Sequence, residues 1–186
     1  MTGVDDQALL ERLRWGDPQA AFRELVEDHG KAIYNVALFT LNDEIMAADA
    51  TQEVFIRIWR GLKGFKAQAK LASWIYRITK NVCYDYLKKR RPERLEEDGE
   101  GALADNGQLG PEGEYLAGQQ HLAVRRAVAR LPERQRMAIT LHYFHQRSYE
   151  EVAEIMEQPL GTVKSYLHRA KASLAGALKE MEGRLV

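Results

Sequence analysis

The sequence predicts an all-α protein made of two small helical domains joined by a flexible acidic linker. Three observations predict it. Apolar residues recur at helical spacing in both halves of the chain, with no run of period-two alternation bounded by turns. Residues 92–118 hold six glycines and eight acidic residues among few apolar ones, too little apolar surface to offset the entropy of ordering. Residues 149–174 read as two helices around a tight turn, with a capping box at the start of the first. The 186 residues are 45% hydrophobic, enough for packed cores.

From the beginning, residues 5–28 read as amphipathic helix interrupted at Gly16-Asp17-Pro18, with Leu9, Leu10, Leu13, Phe22, Leu25 and Val26 as core candidates. Helix continues from Ile33 to Leu41, turning Ile33, Val36, Ala37 and Tyr34 inward. The helix from Asp49 to Leu62 buries Ala47, Thr51, Val54, Phe55, Ile58 and Leu62. Its other face carries Asp49, Gln52, Glu53, Ile56 and Arg60. Most such faces are only solvated, but an aliphatic Ile56 among polar groups marks a candidate protein contact.

Next comes FKAQAKLASWIYRITKNVCYDYLKKRR, residues 65–91. Ser73 is the expected helix cap, with Ile75, Ile78, Val82 and Tyr86 inward. The opposite side presents Trp74, Arg77, Lys80, Asn81, Tyr84 and Lys88. Cations interleaved with aromatic rings offer phosphate attraction and a stacking surface for unpaired bases. The bland alternative tucks Trp74 and Tyr84 into the core of a basic helix. Cys83, the single cysteine, excludes an internal disulfide and is expected to be a half-buried structural thiol.

After the linker, helix resumes near Gln119 through Leu122, Val124, Val128 and Leu131. It stops at Leu131-Pro132 and restarts through Met137, Ala138, Leu141 and Phe144. His142 and His145, three apart on a helix, could share a face, but no third ligand is evident, so no metal is expected. No glycine-rich phosphate loop follows a strand, and no nucleophile has motif support. Neither an enzyme nor a cofactor is expected.

In the last pair of helices, Ser148 and Glu151 form a capping box ahead of Tyr149, Val152, Ala153 and Met156. Glu157-Gln158-Pro159 breaks the pattern. The second helix buries Val163, Leu167, Ala170 and Leu174, and its opposite face shows Gly161, Ser165, His168, Arg169 and Ala172 beside Lys164 and Lys171. Small, hydrogen-bonding and cationic residues on one helix suit the DNA major groove. The plain alternative is a helical hairpin with a basic solvated face.

Charge is distributed in blocks that cancel. Residues 1–56 have 4 basic against 11 acidic groups, and residues 57–91 have 11 against 1. Residues 92–120 have 1 against 8, and residues 121–186 have 11 against 7. Two basic segments separated by an acidic one predict two nucleic-acid contacts joined by a stretch that avoids DNA. No apolar run reaches membrane-spanning length and no basic-then-apolar signal opens the chain, so a cytoplasmic protein without membrane insertion is expected.

The succession DATQEVFIRIW, the 65–91 run, a linker and SYEEVAEIMEQPLGTVKSYLHRAKASL resembles a bacterial RNA polymerase sigma factor of the extracytoplasmic-function group of the sigma-70 family. The likeness covers nearly the whole chain in order. It implies a region-2 domain at 8–91, a linker at 92–118 and a region-4 domain at 119–183, without a middle domain. It implies docking on the polymerase clamp helices of β′ by Asp49, Gln52, Glu53, Ile56 and Arg60, and contact with the β flap. It implies that Phe65, Lys66, Lys70, Trp74, Arg77, Lys80, Asn81, Tyr84, Asp85 and Lys88 read and melt the −10 element, flipping out a base of the non-template strand. Thr162, Lys164, Ser165, His168, Arg169 and Lys171 would read the −35 element as duplex.

The resemblance further implies an anti-sigma partner and a linker that threads toward the polymerase active-site cleft and RNA exit path. Tyr166 and Lys171 stand where the family often has arginine. Gln68-Ala69-Lys70 stands where it often has an acidic residue or glycine, leaving the captured base open. Two other readings remain: a free-standing helix-turn-helix regulator, which would not need the Asp49–Arg60 face with Trp74 and Tyr84, and a sigma-like scaffold with weak DNA binding even beside polymerase.

Overall fold

The computed structural model describes residues 11–12, 16–62, 64–65, 70–90 and 124–182. Three long helices form the first half: α1 (Pro18–Leu41), α2 (Glu44–Leu62) and α3 (Leu71–Arg90). The expected break at Asp17-Pro18 is a helix start. The Asp17 carboxylate accepts hydrogen bonds from the backbone N–H groups of Gln19 and Ala20, each at 3.0 Å, and Pro18 fills a first-turn position that needs no donor. Helix α1 ends where Asn42 turns left-handed at φ 52° and donates its N–H to the Leu38 carbonyl. Each helix packs on the other two, burying Leu25, Ile33, Val36, Val54, Ile58, Ile75 and Val82 completely or nearly so. Leu9, Leu10 and Leu13 lie outside the described residues, as do Leu122 and the linker.

Ser73 does not cap α3. The helix begins at Leu71, with the Trp74 N–H already donating to the Lys70 carbonyl at 3.1 Å. Leu71 and Ile75 are both buried on one face of this first turn, and their packing draws the helix back past the serine. The buried Ser73 hydroxyl is left without a hydrogen-bond partner among the described residues.

In the second half, residues 124–129 are helical, followed by α4 (Glu133–Ile139), a π-helical turn (Thr140–Phe144), α5 (Tyr149–Met156) and α6 (Leu160–Glu182). The helix expected to bury Met137, Ala138, Leu141 and Phe144 does so for the first three only. The widened turn leaves Phe144 40% exposed, stacked on Phe39 of α1 with ring centroids 4.3 Å apart. Helices α5 and α6 form the expected helix-turn-helix. Glu157 terminates α5 in the left-handed region at φ 54°, and the Pro159 carbonyl accepts the N–H groups of Thr162 and Val163 as α6 begins. Val152, Ile155, Val163, Leu167 and Ala170 are buried between the helices.

Both arms of the Ser148–Glu151 capping box are formed, at 3.1 and 3.0 Å. Ser148→Ala should therefore lower the unfolding free energy by about 1 kcal/mol, read from a denaturant titration. The Ser148 N–H holds the Glu151 carboxyl below its ordinary value of 4.5. Because that folded-state pKa is depressed, the contribution is complete well above 4.5 and fades as pH falls through the lower, folded value. Glu151→Ala removes that carboxylate, so the gap in stability between wild type and Glu151→Ala should narrow on acidification.

The two halves share one continuous core. Helix α1 meets α4 and the π turn, and α3 meets α5. Arg136, 3% exposed, joins them: its guanidinium donates to the carbonyls of Thr40 at 2.8 Å and Leu131 at 3.2 Å. A cation at the last turn of α1 is also favoured by the helix dipole.

Candidate functional site

Three faces carry the residues singled out from the sequence. On α2, the inward stripe of Ala47, Ala50, Val54, Ile58 and Leu62 is buried, so helical geometry turns Asp49, Gln52, Ile56 and Arg60 to solvent. Ile56 is 44% exposed. Glu53 is half-buried and accepts a 2.8 Å hydrogen bond from Arg57 one turn on. These five expected residues lie together on one accessible surface. Ile45 and Trp59, 78% and 42% exposed, extend the same rows at positions 45, 49, 52, 56 and 59. Sequence periodicity contained that signal, but only Ile56 was read from it.

Arg57 is a third residue missed on this face, after Ile45 and Trp59. It bridges Glu53 to Asp85 of α3, with Arg57 Nη1 2.9 Å from Asp85 Oδ2. The two carboxylates raise its pKa, Glu53 contributing most. Asp85 is thereby fixed relative to the α2 face.

The α3 face is less open than expected. Asn81, Asp85 and Lys88 are exposed and Arg77 is half-buried, and Lys66 lies outside the described residues. Phe65 is only 6% exposed; it packs against the Trp74 ring at 4.9 Å. Trp74 in turn leans on Gly61, where an added Cβ would come within 2.9 Å of the indole. Only glycine leaves the ring that room. Tyr84 is half-buried, burial pushes its phenol up to about 12, and its hydroxyl has no hydrogen-bond partner among the described residues. The tucked-in alternative for Trp74 and Tyr84 thus holds in part.

Lys80 corrects the outward reading most clearly. It is 4% exposed, covered by the turn of the helix-turn-helix, and its ammonium donates to Glu157 Oε2 at 2.6 Å. That pairing holds the Glu157 carboxyl below its ordinary range. Lys70, which stays exposed, reaches Glu151 of α5 at 3.3 Å. Cys83 is fully rather than half buried, and burial pushes its thiol up to about 12, which makes it inert as a nucleophile.

The α6 face is open. Lys164, Ser165, His168, Arg169 and Lys171 are exposed and Thr162 is half-buried. Ser165 donates its hydroxyl to the Gly161 carbonyl at 3.0 Å. Lys171 lies over the Tyr143 ring at 5.3 Å. With Val163, Leu167 and Ala170 buried beneath, the cations and the imidazole project from a rigid helix.

His142 and His145 do not share a face. His142 Nδ1 hydrogen-bonds the Arg147 carbonyl group at 2.7 Å, whereas His145 is turned to Tyr76 of α3, 3.3 Å from ring nitrogen to hydroxyl. Burial lowers the His145 pKa to about 4, so it is neutral at neutral pH. No group of three metal-ligating side chains occurs among the described residues. Nor is any helix among them long and apolar enough to cross a membrane.

Residues 25–93 match the family model of sigma-70 region 2, and residues 121–174 match that of sigma-70 region 4. The chain is 32% identical to the RNA polymerase sigma-H factor of Pseudomonas aeruginosa, over 97% of each chain. It is 34% identical to the ECF RNA polymerase sigma-E factor of Escherichia coli K12, covering 92% of this chain and 93% of that one. Among solved structures, CnrH in complex with the cytosolic domain of CnrY superposes with a TM-score of 0.69 at 26% identity, over 94% of this chain and 97% of that one. The sigma factor RpoE of Bartonella quintana, in complex with the anti-sigma factor NepR, gives 0.66 at 25% identity, over 85% and 96%.

Proposed function

This chain belongs to the extracytoplasmic-function sigma factors of the sigma-70 family, and we propose from that premise how its three faces divide the work of promoter-specific initiation. The α2 face of Asp49, Gln52, Glu53, Ile56 and Arg60, widened by Ile45 and Trp59, docks on core polymerase at the β′ clamp helices. The second domain contacts the β flap. The α6 face of Thr162, Lys164, Ser165, His168, Arg169 and Lys171 enters the major groove at the −35 element. There Arg169 and Lys164 supply charge, and Ser165 and His168 supply hydrogen bonds.

Phe65, Lys66, Lys70, Trp74, Arg77, Lys80, Asn81, Tyr84, Asp85 and Lys88 act at the −10 element. The amphipathic ring of Trp74 and the α3 cations offset the stacking lost when a base leaves the duplex. The protein binds, orients and separates strands; it breaks no covalent bond and acts in the cytoplasm. The domain limits are 8–91 and 119–183, with 92–118 as linker. By likeness to relatives solved with an anti-sigma factor or with CnrY, an anti-sigma partner holds it inactive.

The observation that carries this reading is the coexistence, on one chain, of an exposed polar-and-apolar α2 face with an exposed cationic recognition helix. A free-standing regulator needs only the second. Transcription from a pool of genomic fragments by core polymerase, with and without the protein, tests it. New start sites preceded by a shared pair of sequence elements are the expected result. Duplex binding without polymerase and no new start sites would favour the regulator.

A further inference from the structure

The recognition helix carries one cation that is held in place without being neutralised. On α6, Lys164, His168 and Lys171 follow one another at steps of four and three, so they share one side of the helix. At its far end this row meets the π turn and the start of α5. Lys171 Nζ lies 5.3 Å from the centroid of the Tyr143 ring. The phenols of Tyr143 and Tyr149 raise the Lys171 pKa above its ordinary value, Tyr143 contributing most. His142 stands between the two tyrosines and packs edge-to-face on both, with ring centroids 4.7 Å apart in each pair. The imidazole is itself fixed by the 2.7 Å hydrogen bond from its Nδ1 to the Arg147 carbonyl.

Other cations here are held differently. Arg57, Lys70, Lys80, Arg125 and Arg147 each lie within ion-pair distance of a carboxylate. Among the described residues Lys171 has no such partner; what fixes it is a pair of neutral phenols and a ring face. An ammonium has three N–H donors. Two phenol oxygens leave the charge intact and at least one donor unspent.

We propose that Tyr143 is a positioning residue for −35 binding: braced by His142, it holds Lys171 so that the ammonium meets a phosphate of the duplex at the edge of the groove. The proposal rests on the assignment of α6 to that element. Lys171 flanks the row Gly161, Ser165, His168 and Ala172 instead of lying within it, which suits a backbone contact rather than a base edge. A helical side chain lies over the turn N-terminal to its own Cα, here the His168 end of the reading face. Lysine carries much rotamer entropy on its long stem, and ordering it in the free protein removes part of that cost from binding. An aromatic face does so while sparing the charge that a phosphate requires.

The test uses preassembled holoenzyme and a promoter fragment recovered by the transcription screen above, titrated at several salt concentrations. Lys171→Ala should reduce the slope of log affinity against log salt by about 1, the loss of one phosphate contact. Tyr143→Ala removes no charge, yet it should lower affinity by about threefold and reduce the slope toward that of Lys171→Ala. Tyr143→Phe keeps the ring against the ammonium and should retain most of the affinity. Added to Lys171→Ala, Tyr143→Ala should cost nothing more. Tyr143 is 49% exposed, so its truncation spares the core. Tyr143→Leu, which keeps bulk but has neither ring nor phenol, repeats the test if the alanine variant fails to fold.

A wild-type slope for Tyr143→Ala beside a reduced one for Lys171→Ala overturns the proposal, as do losses that multiply in the double variant. An unchanged slope in Lys171→Ala, with −35 discrimination still lost in His168→Ala plus Arg169→Ala, also overturns it and leaves α6 on its element. If that last pair of substitutions is silent too, the assignment of α6 falls and takes the proposal with it.

Discussion

Replacing Asp49, Gln52 and Glu53 together by alanine should weaken binding to core RNA polymerase by at least about a hundredfold while leaving the fold intact. The two effects separate because of where these side chains sit. Asp49 and Gln52 are exposed on α2, opposite the buried Ala50, Val54 and Ile58. Alanine is the best helix former, so propensity is not lost. Among the described residues, the ion pair removed is Glu53–Arg57, a partly exposed i, i+4 bridge worth well under about 1 kcal/mol. At an interface, truncating a few central groups commonly costs about 2 kcal/mol or more each. Competition for labelled core enzyme gives the affinity, and thermal melting by circular dichroism gives the stability. Full affinity in the triple variant would remove the docking assignment.

His168→Ala combined with Arg169→Ala should cut initiation at promoters bearing a −35 element by roughly a hundredfold or more, with core binding unchanged. Both side chains are exposed on α6, and a good base contact is worth about 1–3 kcal/mol of discrimination. Loss of Arg169 should also flatten the salt dependence of promoter binding if it touches phosphate. The neighbouring Leu167→Ala would behave differently. Leu167 is 1% exposed between the two helices, so its truncation costs about 2–5 kcal/mol of stability and shows as a lowered melting temperature. Comparing the two variants separates a reading surface from its support.

The helix-turn-helix was legible in its boundaries and most of its buried stripe because its determinants are local, although Leu174 is half-buried and Ile155 was not singled out. The capping box lies within four residues, the turn is punctuated by Pro159, and Val163, Leu167 and Ala170 repeat at helical spacing. Helix α2 was legible for the same reason, and its outward face follows from its inward one. What escaped was set by contacts far apart in sequence. Lys80 reads as an outward cation until Glu157, 77 residues later, covers it. Phe144 reads as core until the π turn brings it to Phe39. Ser73 reads as a cap because capping is a local preference, while the buried Leu71 that overrides it answers to the three-helix bundle. Arg57 carries a charge that composition counts but no local pattern directs toward Asp85.

The sequence likeness also supplied roles that no face could declare on its own. Exposed acid and amide groups on α2 are chemically ordinary. They gain meaning beside a second domain with a cationic recognition helix, since a free-standing regulator needs only the latter. The hydrogen bonds from Arg57 to Glu53 and Asp85 tie that face of α2 to α3.

The central claim is that one chain, held by polymerase, contacts two separated promoter elements with two different domains. Photo-cross-linking tests it directly, with benzoylphenylalanine replacing Trp74 in one preparation and His168 in another, each assembled with core enzyme on the same promoter fragment. The account predicts that position 74 cross-links to the non-template strand at the −10 element and position 168 to duplex at the −35 element, both only when polymerase is present. Cross-links from both positions to a single element, or equal yields without polymerase, would contradict it.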